Sequence, residues 1–184
     1  VGIIIGVIAL SGVGVTFSNM VVAMAGGRLL MALILIMVVS LIMGLAVSPV
    51  ACYLLLITTA GMALEVLGVR TVVIHMYVFY FGVLASITPP VAMACYATAG
   101  IANSDVMKTC IIAVRLGIVG FIIPYMFVYG NELLLLGAPW QIILAFISSA
   151  VGVCALSIAG EGYFYGQVAW WKRLLLATAA LMCI

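Results

Sequence analysis

The sequence is short of charge. Its 184 residues include six Lys or Arg, four Asp or Glu and one His, so charged side chains make up 5% of the chain. A soluble domain carries roughly 25%. Hydrophobic residues reach 69% and the mean hydropathy is +1.53. A soluble core cannot hide that much apolar surface, so lipid is the solvent for most of the chain. A net charge of +2 is no footprint for nucleic acid. The few cations read as markers of membrane interfaces.

Catalytic equipment is scarce as well. The one Asp is Asp105, so an aspartyl pair is absent. There is no HExxH, no GxSxG and no glycine-rich GK[ST] phosphate loop. No motif pairs the one histidine, His75, with Ser48 or Ser86. These lacks argue against an enzyme. The five cysteines, Cys52, Cys95, Cys110, Cys154 and Cys183, stand alone in apolar stretches without CxxC spacing. They read as small packing residues, not as a metal cluster or a disulfide framework. The eleven Met read the same way.

Charged and turn residues punctuate what is there. Residues 1–27 form a transmembrane helix, interrupted by "SGVG" and closed by Gly26-Gly27-Arg28. Residues 28–64 hold an apolar block broken by "MGLAVSP" (43–49), and "EVLGVR" (65–70) follows as an interfacial loop. Residues 71–102 carry "SITPPVA" at their middle. "NSDVMK" (103–108) is a polar loop. Residues 109–130 are one span with a Pro124 kink, and 140–159 are another. Residues 160–184 are an aromatic interfacial segment, "EGYFYGQVAWWKR", and the start of a truncated last span. The start at Val1, without Met or a basic n-region, predicts no signal peptide to remove, and the last apolar run is about half the length a span needs. It reads as a portion of a longer polypeptide.

Length is informative. A straight span needs about 20 residues. The second block is too long for one span and too short for two with a turn. Two half-length helices meeting at Gly44, Ser48 and Pro49, as a re-entrant hairpin, fit it. The third block divides at Thr88-Pro89-Pro90, either as a second hairpin or as one broken helix that crosses. If block two is a hairpin and block three crosses, Arg28 and Arg70 share one side. Lys108, Lys172 and Arg173 then lie on the other, cytoplasmic side, with Arg115 near it. If block two crosses instead, Arg28 joins the basic side against Arg70. Tip composition favours the hairpin.

Breaks in membrane helices offer chemistry. Proline has no N–H and clashes with the carbonyl four residues back, so Pro89 and Pro90 should free the carbonyls of Ala85 and Ser86. Those carbonyls, with the hydroxyls of Ser86 and Thr88, suit a small hard cation such as Na⁺. A second arm starting near Pro90-Val91 presents a helix N-terminus to an anionic group. The tip offers Gly44 for close approach, Ser48 for a hydroxyl and Pro49 to open a half-helix. Paired discontinuous segments of this kind form the sites of many secondary transporters. The bland alternative is a kink repaired by neighbours. His75 reads as an interfacial or packing residue near Arg70. Arg115 snorkels or pairs with Asp105 or another helix. "GIIIG" (2–6) is a weak signal of a close helix contact.

The stretch "HMYVFYFGVLASITPPVAMACYATAGIA" (75–102) strongly resembles the large membrane subunit of TRAP transporters, and most of all the fused small-plus-large permeases of the TAXI branch. "AVRLGIVGFIIPYMFVYGNELLLLG" (113–137) and "AGEGYFYGQVAWWKR" (159–173) are similar to that branch too. The resemblance implies an all-α integral membrane protein, the second inverted repeat of an elevator-type transporter, with a re-entrant hairpin and a broken transmembrane helix. It implies Na⁺-coupled uptake of organic anions, mostly carboxylates, across the bacterial inner membrane, in a multi-pass permease. A periplasmic TAXI-type substrate-binding protein would be the partner, and an N-terminal part of the same permease would supply the first repeat. Ion-binding residues would be Ala85, Ser86, Thr88, Pro89, Gly44 and Ser48. Substrate-binding residues would be Ser48, Pro90 and Val91. The coupling ion is the one cofactor, and no organic cofactor is expected. The family's tip resembles "LGMGLPTTAAY", where this chain has "IMGLAVSPVACY" (42–53). Gly44 and Leu45 match. Ala46, Val47 and Ser48 replace Pro-Thr-Thr, so one hydroxyl remains. Another ion-coupled secondary transporter, or a membrane scaffold without transport, stays open as the alternative.

Overall fold

The computed structural model describes residues 2–90, 92–164, 166 and 169–183, and their regular structure is helical. It divides into two compact units, Val1–Cys110 and Ile111–Ile184.

The first unit begins with two helices, α1 (Gly2–Ser11) and α2 (Val13–Ala25), where the sequence suggested one. Gly12 separates them with φ 68°, a left-handed conformation that L side chains adopt only at a cost. α2 ends on Gly26 and Gly27, whose N–H groups donate back to the carbonyls of Ala23 and Val22, a glycine C-cap. α3 (Leu29–Ala46) is apolar along its length and stops where Val47 turns extended. Ser48 caps α4 (Pro49–Thr59): its Oγ accepts the N–H of Ala51 at 3.4 Å, and Pro49 sits in the first turn, where its missing N–H costs nothing. α5 (Gly61–Val66) follows after one residue.

α6 (Thr71–Leu84) tightens into a 3₁₀ turn over Ala85–Ile87. α7 (Met93–Ala102) resumes the chain and closes on Asn103 at φ 49°. α8 (Val106–Leu116) starts earlier than the sequence suggested. Asp105 is its cap, not a loop residue, because its carboxylate accepts the N–H of Lys108 at 2.8 Å.

The core of this unit is where α3, α4 and α6 meet. Leu33, Ile36, Leu56, Ile74, Tyr77 and Phe81 are all fully buried there. Tyr77 donates its hydroxyl to the Leu33 carbonyl at 2.8 Å, which ties α6 to α3. Burying a Leu, Ile or Phe side chain is worth about 1.5–3 kcal/mol each in water. Within lipid that gain shrinks, and close packing of small residues takes over. α2 shows it: Gly14 and Ser18 are buried, and a Cβ at Gly14 would lie 2.7 Å from the Thr58 carbonyl oxygen.

In the second unit, α8 does not continue as a straight span. It bends by 60° into Ile118–Tyr129. Gly117 marks the bend, followed by a 3₁₀ turn (Ile118–Phe121) and α9 (Ile123–Tyr129) with Pro124 in its first turn. Pro124 therefore opens a helix; it does not kink one. After a 3₁₀ turn over Asn131–Leu134 comes α10 (Pro139–Glu161). Pro139 opens it, and Gln141 Oε1 accepts the N–H of Ala138 at 3.3 Å. Among the described residues, α10 is the one helix long and apolar enough to cross a bilayer by itself. Its Trp140, Ile143, Phe146, Ile147 and Val151 are all more than half exposed, a surface that needs lipid or other apolar helices. α11 (Trp170–Cys183) packs along α10.

Candidate functional site

Two breaks in the first unit meet. The end of α3 lies against the end of α6: a Cβ at Gly44 would overlap the Ala85 Cβ and come within 3.8 Å of the Gly82 carbonyl. The start of α4 lies against the same turn, where a Cβ at Gly82 would be 3.4 Å from the Pro49 carbonyl oxygen and 3.9 Å from the Tyr53 nitrogen. Two glycines thus let three helix ends approach backbone to backbone. A turn further from the tip, Tyr53 of α4 and His75 of α6 share a hydrogen bond of 2.7 Å between the phenol and Nδ1. Phe79 packs edge-on to the Tyr53 ring, centroids 5.9 Å apart. The Cys52 thiol reaches the Ser40 carbonyl at 3.5 Å. His75 therefore joins the two broken segments, a role that the single-histidine signal does not reveal.

The proline break differs in detail from the sequence expectation. The Ala85 carbonyl is not left free, because the chain tightens to 3₁₀ and the Thr88 N–H donates to it at 3.3 Å. The two hydroxyls also bond locally: Ser86 donates to the Val83 carbonyl at 2.7 Å and Thr88 to the Leu84 carbonyl at 2.9 Å. A hydroxyl that has donated its proton keeps its oxygen lone pairs as acceptors. Such an oxygen can face a cation. The second arm starts at Met93, not near Pro90, because Ala92 supplies the first accepting carbonyl, to Cys95 and Tyr96 at 2.8 and 3.2 Å. Ala92 has φ 23°. Pro90 lies outside the helix and is exposed, after a cis Pro89-Pro90 bond. Val91 lies outside the described residues.

Among the six proposed ion-binding residues, then, Gly44 and Ala85 touch, and Ser86, Thr88 and Pro89 follow Ala85 directly. Ser48 is exposed at the tip and serves as a helix cap. The oxygens on offer are neutral. Among the described residues no group of three or more His, Cys, Asp or Glu is placed to hold a metal. Neutral carbonyl and hydroxyl oxygens suit a weakly held monovalent cation better than a tightly bound divalent one.

Arginines organise the second unit. Arg173 on α11 donates Nε to the Ala159 carbonyl and a terminal N–H to the Gly160 carbonyl, both at 2.8 Å, and so caps α10. Gly162 follows at φ 71°, its N–H donating to Ile158 at 2.8 Å. Arg115 pairs with Glu161 at 3.2 Å, not with Asp105.

The family profile described as "Tripartite ATP-independent periplasmic transporter, DctM component" matches residues 1–142. No curated protein and no solved structure gives a match. The match covers both breaks and the seam between them. The chain belongs to the DctM component family of the tripartite ATP-independent periplasmic transporters, and it is a membrane-embedded part of a secondary transporter of that class.

Proposed function

We propose that this chain is the C-terminal portion of a TAXI-type fused permease that takes up organic anions, chiefly carboxylates, by coupling to Na⁺. The observation that carries the reading is the seam between the two breaks, Gly44 on Ala85 and Gly82 on Pro49, inside the family-matched region. Residues 28–64 act as a re-entrant hairpin and 71–102 as a broken transmembrane helix. Na⁺ sits at the end of α6, held by the Ser86 and Thr88 oxygens and nearby carbonyls. Ser48 and Pro90 face the anion.

The mechanism follows from charge. The break exposes dipoles and hydroxyls but no fixed cation, so an anion alone finds little attraction there. Na⁺ supplies the positive charge and orders the loop, and the carboxylate then binds beside it. Neutralised together, ion and anion cross more cheaply than either alone. The seam and the Tyr53–His75 bond let hairpin and broken helix move as one body in an elevator transition. A periplasmic binding protein delivers the anion, the permease is multi-pass in the bacterial inner membrane, and an N-terminal repeat of the same permease completes the site.

The test is uptake of labelled dicarboxylates and amino-acid anions into proteoliposomes, using the full-length permease and its binding protein. Uptake that requires an inward Na⁺ gradient and the binding protein supports the proposal. Uptake driven equally well by a proton gradient without Na⁺ assigns the chain to another ion coupling. A folded permease that moves no anion from a broad panel is a scaffold.

A further inference from the structure

The second unit holds a cavity of about 360 Å³ beside the end of α10, walled partly by residues inside the family match and partly by residues beyond it. Ile118, Ile122, Leu156, Trp170, Leu174 and Ala177 wall it, all apolar, and Arg173 contributes the one charged side chain. From Trp170 to Ala177 the α11 wall rises about 10 Å at 1.5 Å per residue. Arg173 lies partway along that wall, between Trp170 and Leu174, so the cavity is an apolar slot with one cation in its side.

Among the described residues no carboxylate pairs with Arg173. Glu161 is neutralised by Arg115 at 3.2 Å. Arg173 spends two N–H groups on the carbonyls of Ala159 and Gly160. Those carbonyls fix its guanidinium without cancelling its charge, and its further donors stay available. Lys172, next along the chain but outside the lining, holds its Nζ 5.4 Å from the Trp171 ring centroid. Trp170 and Trp171 are both more than half exposed, as residues of a membrane–water interface are. Lys172 and Arg173 fall on the basic, cytoplasmic side in both topologies that the sequence allows, and that leaflet carries anionic lipid.

We infer that this slot is a seat for an anionic phospholipid of the cytoplasmic leaflet, with the acyl chain along Leu156, Leu174 and Ala177 and the phosphate at Arg173, with Lys172 adding to the positive potential from outside the slot. Trp170 flanks the headgroup. The fixed guanidinium selects a phosphodiester with net negative charge over a zwitterion. This seat depends only on the membrane setting of the chain, not on Na⁺ coupling or substrate.

The experiment is native mass spectrometry of the delipidated full-length permease titrated with phosphatidylglycerol or with phosphatidylcholine of the same acyl chains. Wild type should retain phosphatidylglycerol at least about fivefold better, the factor expected from one nearby cation. Lys172→Gln should reduce that preference, and Ala177→Phe, which fills the slot, should abolish tight retention. Should Ala177→Phe fail to fold, the comparison of wild type with Lys172→Gln decides. Equal retention of the two lipids overturns the inference. So does retention of phosphatidylglycerol unchanged in a folded Ala177→Phe. Retention of neither lipid also overturns it, since the slot would then be filled by another segment of the permease.

Discussion

Gly44, near the end of α3, sits directly on Ala85, the first residue of the 3₁₀ turn that ends α6. The contact leaves no room for a second methyl. It joins the "MGLAVSP" tip to the "SITPPVA" break, which lie some forty residues apart in the chain.

Gly44→Ala should therefore separate the two breaks. Overpacking of this kind costs about 1–3 kcal/mol, and thermal unfolding of the purified permease should show it as a lowered Tm. Gly44→Ala combined with Ala85→Gly restores the total volume and should recover most of the loss. A double variant no better than Gly44→Ala alone would mean that the two residues are not in contact.

Tyr53→Phe removes the hydroxyl that meets His75 at 2.7 Å but keeps the ring packed on Phe79. The expected loss is about 0.5–1.5 kcal/mol, read from denaturant unfolding. His75→Phe should lose a similar amount, and the double variant should lose less than the sum. Additive losses would show that the bond contributes nothing.

Gly162→Ala meets two obstacles. Its φ of 71° lies in the left-handed region, a cost of about 1–2 kcal/mol for an L side chain. Its new Cβ would also fall 2.8 Å from the Arg173 guanidinium. Hydrogen exchange should quicken in the last turn of α10, where Arg173 would no longer hold the Ala159 and Gly160 carbonyls. Arg173→Gln should produce the same local fraying without the backbone strain. Unchanged exchange in both variants would remove Arg173 from its capping role.

Part of the fold was legible in the sequence because proline acts locally: Pro49 opens a helix, as its place at the tip implies. Ser48 reads as an ion or substrate ligand, and its cap on α4 is evident only once the helix start is placed. Glycine is harder to read. Gly12 ends a helix at φ 68°, whereas Gly14, two residues on, stays helical and packs on Thr58. Both are a glycine in an apolar run, and only the backbone angle and the neighbour tell them apart. For that reason residues 1–27 read as one helix, and 109–130 read as one span kinked at Pro124, where the structure bends by 60° at Gly117. The pairing of Tyr53 with His75, and of Arg115 with Glu161, depends on which helices come together. No local pattern encodes it. The Ala85 carbonyl was expected to be free because proline rules assume an α-helix, and the 3₁₀ turn escapes that assumption.

In the proposed mechanism the oxygen of Thr88 holds the coupling cation. The most direct measurement is the half-saturating Na⁺ concentration for substrate uptake in wild type, Thr88→Ser and Thr88→Val proteoliposomes. Thr88→Ser keeps the oxygen and should stay close to wild type. Thr88→Val keeps the shape but loses the ligand, a loss of about 1.5–3 kcal/mol for a bond to a charged group, so it should require at least about tenfold more Na⁺. A Thr88→Val permease with the wild-type Na⁺ dependence would contradict the account and leave the two prolines as a bend in a helix.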